Sequence, residues 1–249
     1  MPAISLRFEA VSRRFGATLA VDDVSLEIAG GSFVALVGTS GSGKSTLLKT
    51  ANRLVEPSAG RVLIDDVDIT DGPAHILRRG IGYVFQEVGL FPHMTVAENI
   101  AIGARIAGKS ADVDALLDLV SLPRDIAARM PDALSGGQRQ RVGIARALAP
   151  GARLLLLDEA MGALDPVTRD ALGDEIRRLH DRLGLTTILV THDMAEGLLL
   201  ADRVLVMTAG RIVADATPAT LLAGGGGEAA QALVAVPRGQ ADRLRALAG

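Results

Sequence analysis

The run Gly38-Thr39-Ser40-Gly41-Ser42-Gly43-Lys44-Ser45 leaves this chain little freedom in how to fold. It fits G-x-x-x-x-G-K-[ST], a spacing in which backbone N–H groups wrap phosphate oxygens, the lysine reaches the outer phosphates and the hydroxyl ligates Mg2+. Glycines are needed because a Cβ would keep the backbone from closing round the anion. The apolar run 33–37 before it predicts a buried strand, and 44–54 after it predicts a helix whose positive end faces the phosphate.

The same spacing occurs again at Gly103-Ala104-Arg105-Ile106-Ala107-Gly108-Lys109-Ser110, in different surroundings. It follows Thr95-Val96-Ala97-Glu98, a capping box that starts a helix, and carries Arg105 and Ile106 where backbone has to approach a ligand. We therefore assign phosphate binding to 38–45 and read 103–110 as a helix-loop-helix joint. The lysines are Lys44, Lys49 and Lys109, so two of them lie at or beside the assigned loop.

A second constellation lies downstream. Leu134-Ser135-Gly136-Gly137-Gln138 contains an S-x-x-Q capping box. Ser135 thus opens a helix through Ala149 and leaves the N–H groups of Gly136 and Gly137 at its positive end, where a phosphate can bind. The apolar run 154–157 then closes on Asp158-Glu159, adjacent carboxylates that project differently at a strand end and can divide metal and water tasks. Phosphoryl transfer to water needs neutralised charge on the non-bridging oxygens and a positioned nucleophile, which one cation, one lysine and one carboxylate base supply. His75, His93 and His180 are read as solvated or loop residues.

At 249 residues and 49% hydrophobic content the chain can bury a large core, as one α/β unit or as a unit with an inserted subdomain. A net charge of −3 and the lack of a long basic run argue against a dedicated nucleic-acid binder. Without cysteine there is no disulfide, thiolate zinc site or thiol catalysis. No apolar run approaches the roughly 18–20 residues of a membrane helix and no signal-peptide pattern opens the chain, so a membrane role has to come from a partner.

Short β-like runs at 6–8, 24–28 and 61–64 make the front β-rich. From 95 to 149 the spacing is helical, broken at Ser121-Leu122-Pro123 and Met130-Pro131. Strands at 154–157, 186–190 and 204–207 then alternate with helices after Asp165-Pro166 and from Asp193. Such alternation implies a parallel sheet, and the all-helical middle implies an inserted lobe. Gly224-Gly225-Gly226-Gly227 reads as a flexible linker before an appendage with a last helix at 240–248.

Taken together, these residues resemble the ATP-binding subunits of ABC transporters, over nearly all of 6–222. The resemblance implies an α/β fold: a P-loop NTPase (RecA-like) core with a β-rich N-terminal part and a helical subdomain inserted at about 87–150. Residues 1–222 would form the ATP-binding domain and 223–249 a Gly-rich linker and short C-terminal extension. ATP and Mg2+ are the implied cofactors. The implied assembly is a homodimer joined head to tail through ATP, bound to integral membrane permease subunits, served indirectly by a substrate-binding protein, peripheral on the cytoplasmic face of the membrane, and without nucleic acid. Within the site, Gly38, Thr39, Ser40, Gly41, Ser42, Gly43, Lys44, Ser45 and Thr46 would hold the phosphates, and Phe15 would stack on adenine. Ser135, Gly136, Gly137 and Gln138 would close on the ATP of the other subunit, with Asp165 in the adjoining D-loop. Ser45, Gln86 and Asp158 would serve the metal. Glu159 would be the general base, Gln86 would also contact the attacking water, and His192 would sense the γ-phosphate. Two departures stand out: Ala160 replaces the proline usual after the carboxylate pair, freeing φ there, and Arg139 adds a cation beside the capped helix start.

The segment from Ile81 to Ile100 and the closing Val236-Pro237-Arg238-Gly239-Gln240-Ala241-Asp242-Arg243-Leu244 are similar to the importer branch for osmoprotectants such as glycine betaine, choline and carnitine. An importer of another small solute, such as an amino acid, is the nearest alternative. A soluble ABC ATPase acting on nucleic acid is the alternative of a different class; it would usually carry coiled-coil or zinc insertions, and the chain has neither heptads nor cysteines. Many members of the osmoprotectant branch continue into regulatory CBS modules, which this sequence does not contain.

Overall fold

The computed structural model describes residues 3–248. It opens with two long antiparallel strands, β1 (Leu6–Phe15) and β2 (Thr18–Ile28), both extending well past the short runs at 6–8 and 24–28. Next come β3 (Phe33–Val37) and α1 (Lys44–Ala51) with the 38–45 loop between them, then β4 (Ala59–Ile64), β5 (Val67–Asp68), α2 (Ala74–Arg79) and β6 (Ile81–Val84). The helical stretch holds α3 (Val96–Ile106), α4 (Val113–Leu119), two 3-10 turns at Arg124–Ala128 and Pro131–Ala133, and α5 (Gly136–Leu148). Alternation resumes with β7 (Leu154–Asp158), α6 (Pro166–Leu183), β8 (Thr186–Thr191), α7 (Met194–Leu200) and β9 (Arg203–Thr208), and closes with β10 (Arg211–Ala216), α8 (Pro218–Leu222) and α9 (Gly227–Ala248).

The main sheet has the order β10-β9-β3-β8-β7-β6, parallel except for the β9–β10 hairpin, and the strands β2-β1-β4-β5 form a smaller antiparallel sheet. A parallel strand covered on both faces reads as a near-continuous apolar run, as 33–37 and 154–157 do, whereas the central β8 also buries Thr186, Thr187 and Thr191. In β3, Val34 and Leu36 join a core with Leu6, Phe8, Val21, Leu47 and Leu48, while Phe33, Ala35 and Val37 join a second core facing α5, α6 and α7. The helix starts follow local chemistry. Thr95 and Ser135 each make both bonds of a capping box, and Asp165 accepts from Thr168 N with Pro166 at the first helical position.

The tail departs from the linker-and-short-helix expectation. The four glycines make a turn in which Gly225 N donates to Thr220 O at 2.9 Å and Gly224 N to Leu221 O at 3.1 Å. Gln231 then donates to Leu221 O and Gly225 O, and α9 begins at Gly227, burying Ala230 and Val234 in the core. Glycine is used here because three of the four adopt positive φ, Gly224 at 97°, Gly226 at 86° and Gly227 at 79°. Small residues at 229–235 let the helix lie close against α7 and β10, a contact that polarity alone does not reveal.

Candidate functional site

The carboxyl ends of β3, β7 and β8 lie side by side, and the chemistry collects there, as parallel α/β sheets arrange it. The shape of the 38–45 loop comes from close packing. A Cβ on Gly38 would stand 2.2 Å from Met207 O, and one on Gly43, whose φ is 106°, would stand 2.1 Å from Ala20 O. Lys44 is 3% exposed and folds back into the loop, donating to Gly38 O and Thr39 O at 2.8 Å each. Burial lowers its pKa from the ordinary lysine value, with Glu159 and Asp158 pulling the other way.

Asp158 is the hub. It is 5% exposed; its Oδ1 accepts from Ser45 Oγ at 2.6 Å, its Oδ2 accepts from the Tyr83 hydroxyl at 2.7 Å, and Lys49 Nζ stands 3.3 Å from Oδ2. Burial, then the bond to Asp158, raises the Tyr83 pKa far above the ordinary phenol, so it remains a donor. Neither Tyr83 nor Lys49 was assigned from sequence. The signals were available: Lys49 is four residues after Ser45 on one helix face, and Tyr83 lies on β6, the strand paired with β7.

Glu159 follows in a left-handed backbone, φ 50°, fixed by its N–H donating to Val190 O at 3.0 Å. A non-glycine residue held there signals strain that the surroundings impose, and here it turns the side chain toward β8. Its carboxylate lies 3.4 Å from His192 Nδ1. Ala160, in the place of the usual proline, is fully buried. Behind His192, Thr191 donates to Glu196 at 2.6 Å, and burial raises the pKa of Glu196. Arg169, another residue sequence reading passed over, donates to Leu164 O at 3.1 Å and faces Asp193 and Glu196 at 3.8 and 3.7 Å, linking the loop before α6 to the loop after β8.

A cavity of about 760 Å³ reaches from Ser45, Lys49 and Asp158 past Tyr83 to Gln86 and Arg146. Phe15 is 46% exposed at the end of β1, with the Arg13 guanidinium 4.4 Å over its ring. Ser135–Gln138 is held elsewhere. A Cβ on Gly137 would stand 2.6 Å from Thr168 Cγ2, and one on Gly136 3.4 Å from Leu164 Cδ2, so this helix start packs on the loop carrying Asp165. Its first turn holds no acidic residue, and Arg139 is exposed with its guanidinium donating to Leu134 O at 2.6 Å.

The second motif match is built differently. Residues 103–106 lie inside α3, and Lys109 Nζ donates to Pro150 O at 2.7 Å, tying the end of α3 to the turn before β7. Among the described residues no group of three or more His, Cys, Asp or Glu could hold a metal ion alone. The donor set of Ser45 hydroxyl and Asp158 carboxylate instead suits Mg2+, which takes one or two protein oxygens and completes its shell with phosphate and water.

The profile of the ABC transporter family matches residues 21–162, more than half of the chain. The chain belongs to the ABC transporter family. It is 46% identical to a carnitine transport ATP-binding protein of Listeria monocytogenes over 223 residues, covering 87% of this chain and 56% of that one. It is 47% identical to the glycine betaine uptake ATP-binding protein YehX of Escherichia coli over 222 residues, covering 87% of this chain and 72% of that one. The chain thus spans little more than half the length of the Listeria relative. Among solved structures, a dimeric ATP-binding cassette in a post-hydrolysis state with ADP and Pi is similar at TM-score 0.76 and 31% identity, covering 86% of this chain and 98% of that one. A cassette of the cbiONQ transporter complex of Clostridium perfringens is similar at TM-score 0.80 and 30% identity, covering 88% of this chain and 90% of that one. The fold is that of an ABC cassette, a nucleotide-binding α/β domain.

Proposed function

We propose that this chain is the ATP-hydrolysing subunit of an ABC importer, that it works as a head-to-tail pair joined through ATP, and that its cargo is a quaternary-ammonium osmoprotectant. The observation that carries the enzymatic part is the convergence of Lys44, Ser45, Asp158, Glu159 and His192 at three adjacent strand ends, with a capped helix start, Ser135–Gln138, on a separate surface.

In this reading the loop 38–46 holds the phosphates through backbone N–H groups, and Lys44 exchanges its loop carbonyls for phosphate oxygens. Phe15 stacks on the base by the ring face that Arg13 leaves free. When bound, Mg2+ neutralises phosphate charge; Ser45, Asp158 and Gln86 are the residues that hold it, with Tyr83 and Lys49 fixing the orientation of Asp158. Glu159 takes the proton of the attacking water, and His192 receives the hydrogen-bonding demand of the outer phosphate beside it. Ser135–Gln138, with Asp165, closes over the ATP of the second copy. Two ATP molecules bridging the pair can supply the roughly 5.5 kcal/mol that swings an open–closed equilibrium from 1:99 to 99:1.

Residues 1–222 then form the ATP-binding domain, with the lobe at about 87–150 inserted in it and 223–249 as a C-terminal extension. No helix among the described residues is long and apolar enough to cross a membrane. The chain sits on the cytoplasmic face against permease subunits, and a substrate-binding protein delivers the cargo to them. The similarity to carnitine, glycine betaine and choline subunits at 44–47% identity supports the cargo. An importer of a different small solute is favoured by the 48% identity to a sulfate/thiosulfate import ATP-binding protein of Caulobacter vibrioides. Reconstitution with the permease decides between them. ATPase stimulation by binding protein loaded with betaine, choline or carnitine supports the proposal, and stimulation only by another solute class discards the cargo while keeping the ATPase.

A further inference from the structure

β1 does not run straight to Phe15. Its register against β2 shifts between Phe8 and Val11, between Val11 and Arg13, and again between Arg13 and Arg14. Bulges of this kind bend a strand, re-aim the side chains beyond them and leave backbone groups outside the ladder. Serines take up those groups: Ser12 Oγ accepts from Asp23 N at 2.9 Å and Ser58 Oγ accepts from Arg14 N at 3.1 Å. Ser58 N donates in turn to Ser12 O at 2.7 Å, so the bent end of β1 is tied to the segment that follows α1.

That segment is itself held on several sides. Leu54 N and Val55 N donate to Lys49 O in the last turn of α1, at 3.0 and 3.1 Å. Arg53 donates to Glu56 Oε1 at 3.3 Å and to Gly72 O at 2.7 Å, and Pro57 confines Glu56 to extended backbone. Glu56 O then accepts from Arg13 Nη1 at 2.9 Å. Arg13 and Phe15, two residues apart, share one side of β1, and the guanidinium held on Glu56 lies 4.4 Å from the centroid of the Phe15 ring. The placement has a cost, because Arg13 Nε is buried without a hydrogen-bond partner. An arginine that served only solubility would avoid that cost by turning out to water.

We propose that Arg13 is a positioning residue for the nucleotide: held on Glu56 O, its guanidinium backs the Phe15 ring and keeps the opposite face turned to the base, in a stack of cation, ring and base. The proposal rests on the stacking role given to Phe15 above. It makes α1 serve both ends of the ligand, with Lys44 and Ser45 at its start for the phosphates and the segment 53–58 at its exit for the base.

Calorimetric titration with ATP and with inorganic tripolyphosphate, which has no base, tests it, with EDTA present to prevent turnover. Arg13→Leu should weaken ATP binding by about three- to tenfold, the scale of cation–ring and ring–ring contacts, and should move tripolyphosphate binding by less than about twofold. Phe15→Ala should weaken ATP binding at least as much. Adding Arg13→Leu to Phe15→Ala should then change it by less than about twofold, since no ring remains to be held. In steady-state ATPase, Arg13→Leu should raise KM by the same factor as the dissociation constant, with kcat moving less than about twofold. Should Arg13→Leu fail to fold, Arg13→Gln, which removes the cation and keeps a polar side chain, carries the same test. A loss shared by tripolyphosphate marks general damage to the site and overturns the proposal, as do additive losses in the double variant. Full ATP affinity in Arg13→Leu beside a loss in Phe15→Ala overturns the role of Arg13 and keeps the stacking. Full affinity in Phe15→Ala overturns the stacking itself, and the proposal with it.

Discussion

Loop 38–45 and loop 103–110 carry the same spacing of glycine, lysine and serine and sit in opposite kinds of structure. The first leaves a fully buried strand at the carboxyl edge of a parallel sheet, with its lysine turned inward onto its own carbonyls. The second begins inside α3, and its lysine reaches outward to Pro150 O. In the first, glycines give way to backbone from β2 and β9 at 2.1–2.2 Å; in the second, Gly108 at φ 72° has nothing within 4 Å of where a Cβ would be, and Gly103 meets the Pro150 ring at 3.2 Å and Arg146 O at 3.5 Å. The spacing is therefore a necessary condition. What sets the proposed phosphate loop apart is the strand before it and the neighbours that close on its glycines.

The comparison breaks or sharpens by experiment. The largest effect expected is that of Glu159→Gln: turnover falls by about 10²–10⁴-fold while ATP binding is kept, since a base is needed for attack by water and not for binding. Near-wild-type hydrolysis by this variant would sink the assignment. Lys44→Ala should weaken nucleotide binding by about 1.5–3 kcal/mol, roughly ten- to a hundredfold, the range for losing a charged hydrogen-bonding group. Titration with a fluorescent nucleotide measures it. Lys109→Ala should leave that titration unchanged and lower thermal stability by less than about 1 kcal/mol, one exposed bond having been removed. Equal losses of binding from the two lysine variants would end the distinction between the loops.

The smallest effect concerns the frame behind the site. His180, read from sequence as a solvated or loop residue, is instead buried on α6 with Nδ1 3.0 Å from Thr187 Oγ1, and its pKa is lowered chiefly by burial and then by Arg177, against the pull of Asp202 and Asp181. The unfolded chain thus binds the proton first. Stability is full above the ordinary value of 6.5 and is lost as pH falls from there toward the lowered folded value. Melting curves from pH 7.5 to pH 5.5 should show this acid limb in the wild type and a flatter one in His180→Asn. Parallel limbs would show that another group is responsible.

How much of this was legible depended on whether the cause was local. The capping boxes at Thr95 and Ser135, the Asp165-Pro166 start and the apolar strands 33–37 and 154–157 are set by residues within a few positions of one another, and each was found where sequence put it. β10, α2 and the onset of α9 at Gly227 escaped because their reasons lie in distant partners: β9 for the hairpin, β6 for α2, and α7 with β10 for α9. The site divides the same way. Lys44, Ser45, Asp158 and Glu159 stand in recognisable strings, while Tyr83, Lys49 and Arg169 matter through what the fold brings beside them. The left-handed backbone of Glu159 had no sequence signal, since glutamate is not a residue that favours it.

The glycines of loop 38–45 also say something about time. Gly38 is pressed against Met207 O and Gly43 against Ala20 O, and Gly210 N donates to Ser42 O at 2.9 Å. The loop is thus walled on the Gly43 side by β2, which precedes it in the chain, and on the Gly38 side by the β9–β10 hairpin, which follows it only from Arg203 on. A ribosome delivers the loop long before the hairpin, and closing so long a stretch is a slow kind of contact to form. Until that hairpin docks, the loop lacks half of the surface that shapes it, so the nucleotide binding proposed for it should be a late marker of folding.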